Sequence, residues 1–166
     1  MAISIDAIKD LREKTGAGVM DCRNALSEAE GDVEKAIELL REKGLSKAAK
    51  RSEREIGEGL VESYVHGGRI GVIVEINCET DFVARTDVFK ELAHDVAMQI
   101  ASMGALAVSE ADLPEDAEGE PAELALLSQT FIKDPSKTIQ DLVNETITST
   151  GERIEIRRFT RYELGE

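Results

Sequence analysis

The chain has 166 residues, which is enough for one ordinary domain or for a small module followed by a compact second domain. Hydrophobic residues account for 42% of the sequence and charged residues for 33%, a balance that is typical of a folded soluble protein and excludes a disordered one. With 20 basic against 34 acidic residues the net charge is -14, which argues against a general nucleic-acid binder and favours partners with basic patches.

Residues 1–44 are predicted to form three short helices, because apolar side chains recur in them every three or four positions. Glycines at residues 16–18 and at Gly31 separate the helices, since glycine readily adopts the positive φ of a tight turn. Gly44 is predicted to end the third helix at a C′ position. The pattern favours a three-helix module of the ubiquitin-associated type, close to the lower size limit for independent folding.

Residues 45–58 differ in composition from the rest of this acidic chain. Four basic residues fall within eight positions: Lys47, Lys50, Arg51 and Arg54. No long apolar stripe accompanies them, so the segment is predicted to be a basic linker, and the pattern leaves its helical content open.

A second domain, residues 59–166, is predicted to open with a β-hairpin. Residues 60–65 and 70–76 are predicted to be two strands, and in the second one Ile70, Val72, Val74 and Ile76 share one face by alternation with period two. Gly67 and Gly68 lie between them, and this pair predicts a two-residue hairpin turn.

Helices follow the hairpin. The first has its apolar stripe between residues 89 and 103, and Thr86 or Asp87 is predicted to cap it. Residues 109–121 contain six carboxylates, two prolines and no base, which predicts an exposed acidic loop. Helical spacing returns at residues 124–131 and again at residues 139–147.

A charged strand is predicted at the end of the domain, over residues 153–164. Its alternation slips between Ile156 and Phe159, and such a slip is typical of a β-bulge. The order of strands and helices predicts an α+β core, with a small antiparallel sheet made of the hairpin and this strand and packed by helices.

Motifs of catalysis or metal binding are missing from the sequence, so we expect neither an enzyme nor a cofactor. Cys22 and Cys78 lie 56 residues apart without metal-ligand spacing, which favours two small buried thiols in a reduced compartment. His66 and His94 share no motif with a nucleophile and are predicted to lie on the surface. No run approaches 18 apolar residues and the amino end lacks the features of a secretory signal, so the expected location is cytoplasmic.

Two places have features suited to binding. Val19 and Met20 follow a glycine turn, where they are either exposed or one of them packs against the core at the start of a helix. Phe82 lies between a strand and a helix, with Asp81 beside it. From the residues alone, Phe82 is either a core side chain, with Asp81 as a turn or cap residue, or an exposed binding residue.

Residues 11–26 (LREKTGAGVMDCRNAL) and 75–84 (EINCETDFVA) resemble two signatures of the elongation factor Ts family. Members of this family are the guanine-nucleotide exchange factors of bacterial and organellar elongation factor Tu. Residues 134–138 (DPSKT) and 157–159 (RRF) fit the carboxy-terminal pattern of the family, so the resemblance covers nearly the whole chain.

The resemblance implies that the amino-terminal module docks on the GTPase domain of elongation factor Tu. Three residues match its contact positions: Arg12, Val19 and Met20. A second contact is implied for four residues of the core domain: Thr80, Asp81, Phe82 and Val83. Of these, Asp81 and Phe82 are expected to push between two helices of the GTPase and disturb its Mg²⁺ and phosphate site, which favours exposure of Phe82.

The resemblance also implies an assembly. The chain has room for one core, like short members of the family, which pair two cores into a homodimer, and residues 153–164 or an edge near them are the expected contact. Two other functions stay open: a helical adaptor that binds a ubiquitin-like or peptide ligand, and a hydrolase with an unrecognised site. Release of GDP by sub-stoichiometric protein distinguishes an exchange factor from the adaptor, and turnover of a small substrate without any partner would indicate the hydrolase.

Overall fold

The computed structural model describes residues 4–51 and 54–166. In this part of the chain the elements are, in order, α1 (Ile5–Thr15), α2 (Val19–Glu28), α3 (Val33–Arg51), β1 (Glu58–His66), β2 (Ile70–Cys78), α4 (Asp81–Ala84), α5 (Asp87–Met103), α6 (Pro121–Leu124), α7 (Ile139–Thr150) and β3 (Ile154–Glu163). None of the helices within these residues is both long enough and apolar enough to cross a membrane.

The described residues divide into two compact units. The first contains the chain up to Arg54 together with residues 144–153, and the second contains residues 55–143 and 154–166. The predicted domain boundaries at residues 44 and 58 stay predictions. Residues 1–3 of the predicted module and residues 52–53 of the predicted linker lie outside the described residues.

The three predicted helices of the first unit are α1, α2 and α3. Ser4 caps α1 by accepting a hydrogen bond from the Ala7 amide (3.1 Å), and Gly16 ends it with a φ of 65°. The helices share one buried apolar cluster, which consists of Leu11, Ala17, Cys22, Ala25, Leu26, Ala29, Ala36 and Leu40. Small side chains dominate this cluster, so the helices approach each other closely.

Gly44 does not end the third helix, and this prediction is wrong. The backbone of α3 continues through Gly44 to Arg51. Gly44 is buried, and a Cβ atom at this position would lie 2.6 Å from Oγ1 of Thr148. A larger residue here would displace Thr148 or the helix, so the close approach of α7, and not a positive φ, favours glycine.

The second unit is built on an antiparallel sheet with the strand order β1-β2-β3, so β2 is the central strand. Val72, Val74 and Ile76 of β2 are buried on one face, as the alternation predicts. The long helix α5 packs across β1 and β2. The molecule therefore has the predicted α+β class: amino-terminal helices followed by a three-stranded antiparallel sheet packed by helices.

The hairpin turn is one residue longer than predicted. His66 and Ile70 form the last pair of the ladder, so the loop contains Gly67, Gly68 and Arg69. Both glycines have positive φ (55° and 68°), and the Arg69 amide donates to the His66 carbonyl (3.0 Å). The glycine pair therefore makes the turn, and Arg69 is the additional residue.

The predicted bulge in the last strand is confirmed. Glu75 pairs with Arg158 whereas Ile76 pairs with Ile156, so Arg157 is the extra residue. The bulge brings two guanidinium groups to one carboxylate: Arg158 Nε lies 2.7 Å and Arg157 Nη1 lies 3.4 Å from oxygens of Glu75. The hydrogen bond from Arg158 is the main reason that the pKa of Glu75 is lowered.

The predicted helix over residues 124–131 does not form. Only α6 and a short 3-10 turn occupy this region, and the chain is then held by the buried side chain of Gln99 on α5. Gln99 Nε2 donates to Gln129 Oε1 (3.2 Å) and to the Thr130 carbonyl (3.0 Å), and its Oε1 accepts from the Ile132 amide (3.0 Å). These bonds replace the helical ones that the spacing suggested.

The acidic loop is closed at its base. Ala107 and Ala125 form a parallel β-bridge, and the Leu126 amide donates to the Ala107 carbonyl (2.9 Å). Most of residues 109–121 are exposed, as predicted; they contain a 3-10 turn over Glu110–Asp112 and end at the first residue of α6.

Candidate partner-binding site

The four core-domain residues predicted to contact a partner form the start of a single helical turn after the central strand. Thr80 caps the amino end of α4, and its Oγ1 accepts a hydrogen bond from the Val83 amide (3.4 Å). Phe82 is 77% exposed on this turn. The alternative in which Phe82 is a core side chain is therefore wrong. The ring is therefore accessible to a partner, with its apolar faces in water.

Asp81 forms an ion pair along the same turn. Its Oδ2 lies 2.9 Å from Nη2 of Arg85, and both side chains are substantially exposed. An exposed pair of this kind contributes only about 0–1 kcal/mol, so Asp81 is able to exchange Arg85 for another partner at little cost.

The carboxyl end of the turn is fixed by Thr86. Its hydroxyl donates to the Val83 carbonyl (2.7 Å) and accepts from the Phe89 amide (3.4 Å), so Thr86 is the residue that caps α5. Phe89 is completely buried and anchors the first turn of α5. Phe82 therefore projects from a turn whose backbone is bonded at both ends.

The predicted contacts of the amino-terminal module lie in the first unit. Gly18 precedes α2 in an extended conformation, and the helix opens with Val19 and Met20, which are 51% and 61% exposed. These fractions contradict the alternative in which one of them packs on the core. The two predicted groups of contact residues thus belong to different compact units.

Arg12 is exposed on α1 and lines an open pocket of about 350 Å³. The other residues of the pocket are Lys9, Glu13, Gly16 and Ser149. The lining carries two basic side chains and one carboxylate, and the exposed guanidinium of Arg12 is available as a hydrogen-bond donor there.

The sequence did not single out a further apolar surface on the outer face of the sheet. Its exposed members are Val61, Val65, Ile73 and Tyr162. The register places Ile73 between Ser63 and Thr160, and Gly71 between Val65 and Tyr162. One residue in the sequence did point to this surface. Ile73 alternates with the buried residues of β2 and therefore faces outward, yet it is apolar. A sheet that is buried on one face only does not require an apolar side chain at such a position.

The histidine, cysteine and carboxylate side chains of the described residues do not form a metal-binding cluster. No group of three or more His, Cys, Asp or Glu there is able to hold a metal ion. His66 and His94 are both exposed, as predicted. They flank Tyr64, with ring centroids 6.2 Å and 5.7 Å from its own, which is an aromatic contact.

Known proteins resemble this chain over nearly its full length. Proteins named Elongation factor Ts from Caldanaerobacter subterraneus subsp. tengcongensis and Carboxydothermus hydrogenoformans are 49% and 50% identical to it. Each alignment covers 99% of this chain, and 98% and 90% of the relative. The protein of that name from Syntrophomonas wolfei is 48% identical, with 91% of its length covered.

The alignments also show a difference in length. They run over 195 positions, which exceeds the 166 residues of this chain, so the relatives carry residues that it lacks. The sequence profile of the family described as Elongation factor TS matches residues 7–121 and 118–166. The two stretches meet inside the acidic loop. Both comparisons confirm the predicted resemblance, and this chain belongs to the elongation factor Ts family, whose members are translation elongation factors and not catalytic enzymes.

Proposed function

We propose that this protein is a cytoplasmic guanine-nucleotide exchange factor that binds elongation factor Tu and promotes the release of GDP from it. Its family membership supports the partner, and the exposure of Phe82 on a turn bonded at both ends supports the mechanism. In this proposal residues 1–44 are a docking module of the ubiquitin-associated type, residues 45–58 a linker, and residues 59–166 the core domain.

Nucleotide exchange makes and breaks no covalent bond. It requires only that the factor bind two states of its partner with different affinities. The factor must bind the nucleotide-free partner more tightly than the GDP-bound one, and GDP then binds the complex more weakly by the same factor. Each tenfold loss of nucleotide affinity requires about 1.4 kcal/mol of this preference. Burial of the Phe82 ring in a groove of the partner supplies about 2–3 kcal/mol, which corresponds to about two orders of magnitude.

Asp81 adds a charge beside the ring. Because its ion pair with Arg85 is exposed, the carboxylate is able to turn towards the Mg²⁺ and phosphate environment of the partner while the ring enters between two helices. A negative charge near bound phosphate weakens nucleotide binding by repulsion and competes for the metal ion. Thr80 and Val83 hold the backbone that carries both side chains.

The direct test uses elongation factor Tu loaded with a fluorescent GDP. Sub-stoichiometric amounts of this protein are expected to accelerate the loss of fluorescence in the presence of excess unlabelled nucleotide. Binding without acceleration would support the adaptor instead. Turnover of a small-molecule substrate in the absence of any partner would point to a hydrolase.

Replacing both Val19 and Met20 by Asp is expected to weaken the complex with elongation factor Tu by at least about tenfold, because two exposed apolar contacts become charged. Isothermal titration calorimetry measures the change. Ile5→Asp is the matched control, since Ile5 is 72% exposed on the neighbouring helix α1 and lies outside the predicted contacts. Equal affinities of the double variant and the wild type would contradict this contact.

We further propose that two copies associate through the core domain. The outer face of the sheet exposes apolar side chains, including Tyr162 on the strand expected to mediate the contact. Ile73→Glu is expected to convert a dimer into a monomer, because it places a charge at the centre of this face. Light scattering coupled to gel filtration measures the mass, and a wild-type protein that is monomeric at micromolar concentration would rule the assembly out.

A further inference from the structure

The end of the central strand is bonded directly to the turn that carries Phe82. Cys78 is the last residue of β2, is completely buried, and pairs with Glu58 and Ile154 on the two flanking strands. Its Sγ donates a hydrogen bond to the carbonyl oxygen of Thr80 at 3.1 Å. The thiol therefore connects the central strand of the sheet to the residue that caps α4.

The same carbonyl closes the helical turn. The Ala84 amide donates to the Thr80 carbonyl (3.3 Å). This oxygen therefore accepts two hydrogen bonds, one from the Cys78 thiol and one from the helical amide. Phe82 lies midway between Thr80 and Ala84 in the sequence. A helix of four residues is too short to be stable by itself, so the direction of the ring depends on these external bonds.

We propose that Cys78 is a positioning residue for Phe82, acting through its hydrogen bond to the Thr80 carbonyl; this proposal rests on the exchange function proposed above. A thiol suits the position because it is small, packs among apolar neighbours like a hydrophobic side chain, and still offers a donor. A side chain without a donor would fill the same space and leave the turn free to shift relative to the sheet.

The test compares Cys78→Ala, which removes the donor, with Cys78→Ser, which keeps one. Ile76→Val is the matched control, because it trims a completely buried side chain two residues earlier on the same face of β2 and leaves the thiol in place. At saturating concentrations of the factor, Cys78→Ala is expected to lower the maximal rate of GDP release about tenfold, since small misplacements of a positioned group have large kinetic effects. Cys78→Ser and Ile76→Val are expected to stay within about twofold of the wild type.

A second readout does not depend on exchange. Hydrogen–deuterium exchange of the Ala84 amide is expected to become about tenfold faster in Cys78→Ala and to return towards the wild-type rate in Cys78→Ser, because this amide reports the bond to the Thr80 carbonyl. If Cys78→Ala does not fold, Cys78→Val, which lacks the donor but fills the volume, replaces it in both measurements.

Three outcomes would overturn the proposal: an unchanged maximal rate in folded Cys78→Ala, an equal loss in Cys78→Ser, or an equal loss in Ile76→Val. The first means that the bond is not used, and the others mean that general destabilisation is the cause. If the wild type itself does not accelerate GDP release, the exchange function fails instead. The Ala84 amide then still shows whether Cys78 holds the turn.

Discussion

Replacing Phe82 by Ala is expected to slow the release of GDP from elongation factor Tu by about two orders of magnitude, because the ring supplies about 2–3 kcal/mol when it is buried in the partner. The free energy of unfolding is expected to change by less than about 0.5 kcal/mol, because the side chain is 77% exposed in the free protein. Stopped-flow fluorescence gives the first quantity and urea denaturation the second.

Leu106→Ala provides the matched control for this variant. Leu106 is also a large apolar side chain of the second unit, 58% exposed, and it lies outside the predicted contacts. Its truncation is expected to leave the release rate unchanged. The opposite pattern, in which Phe82→Ala unfolds the protein while the release rate per folded molecule stays the same, would show that Phe82 acts in stability.

Gln99→Leu is expected to lower the free energy of unfolding by about 2–3 kcal/mol, although leucine has nearly the same volume. The substitution leaves the buried amide oxygen of Gln129 without its donor and removes the partners of the Thr130 carbonyl and the Ile132 amide. Urea denaturation followed by circular dichroism measures the loss.

Gln140→Leu is the control for this second variant, because Gln140 is exposed on α7. Its effect is expected to stay within about 0.5 kcal/mol. A Gln99→Leu protein as stable as the wild type would show that water or a local shift of the chain satisfies these groups, and that the glutamine does not hold the segment in place.

Local patterns were sufficient wherever one physical requirement dominated. The alternation in β2 predicted the buried face with Val72, Val74 and Ile76, because side chains on a strand point alternately to the two faces. The slip in β3 predicted the bulge, because one extra residue reverses the phase of the alternation. Thr86 capped α5 because its hydroxyl satisfies an amide that the helix leaves free.

Patterns failed where a distant residue decided the structure. Within its own segment, Gly44 is typical of a helix end. The presence of glycine is explained instead by the close contact with Thr148, which lies 104 positions further along the chain. The spacing of residues 124–131 suits a helix, but Gln99 captures their backbone instead. The exposure of Phe82 also could not be derived from local pattern, because an aromatic residue between a strand and a helix is most often buried. The family resemblance supplied that expectation.

The bridge between Ala107 and Ala125 bears on how this family varies and how this protein can be engineered. The segment between these two residues starts and ends at adjacent points. It can therefore lengthen without moving either end. Doubling the number of residues in such a segment costs only about 0.6 kcal/mol in the entropy of loop closure. The two stretches of the family match overlap at residues 118–121, inside this segment. We therefore expect the exposed tip of this segment to accept a fluorescent reporter or an affinity tag.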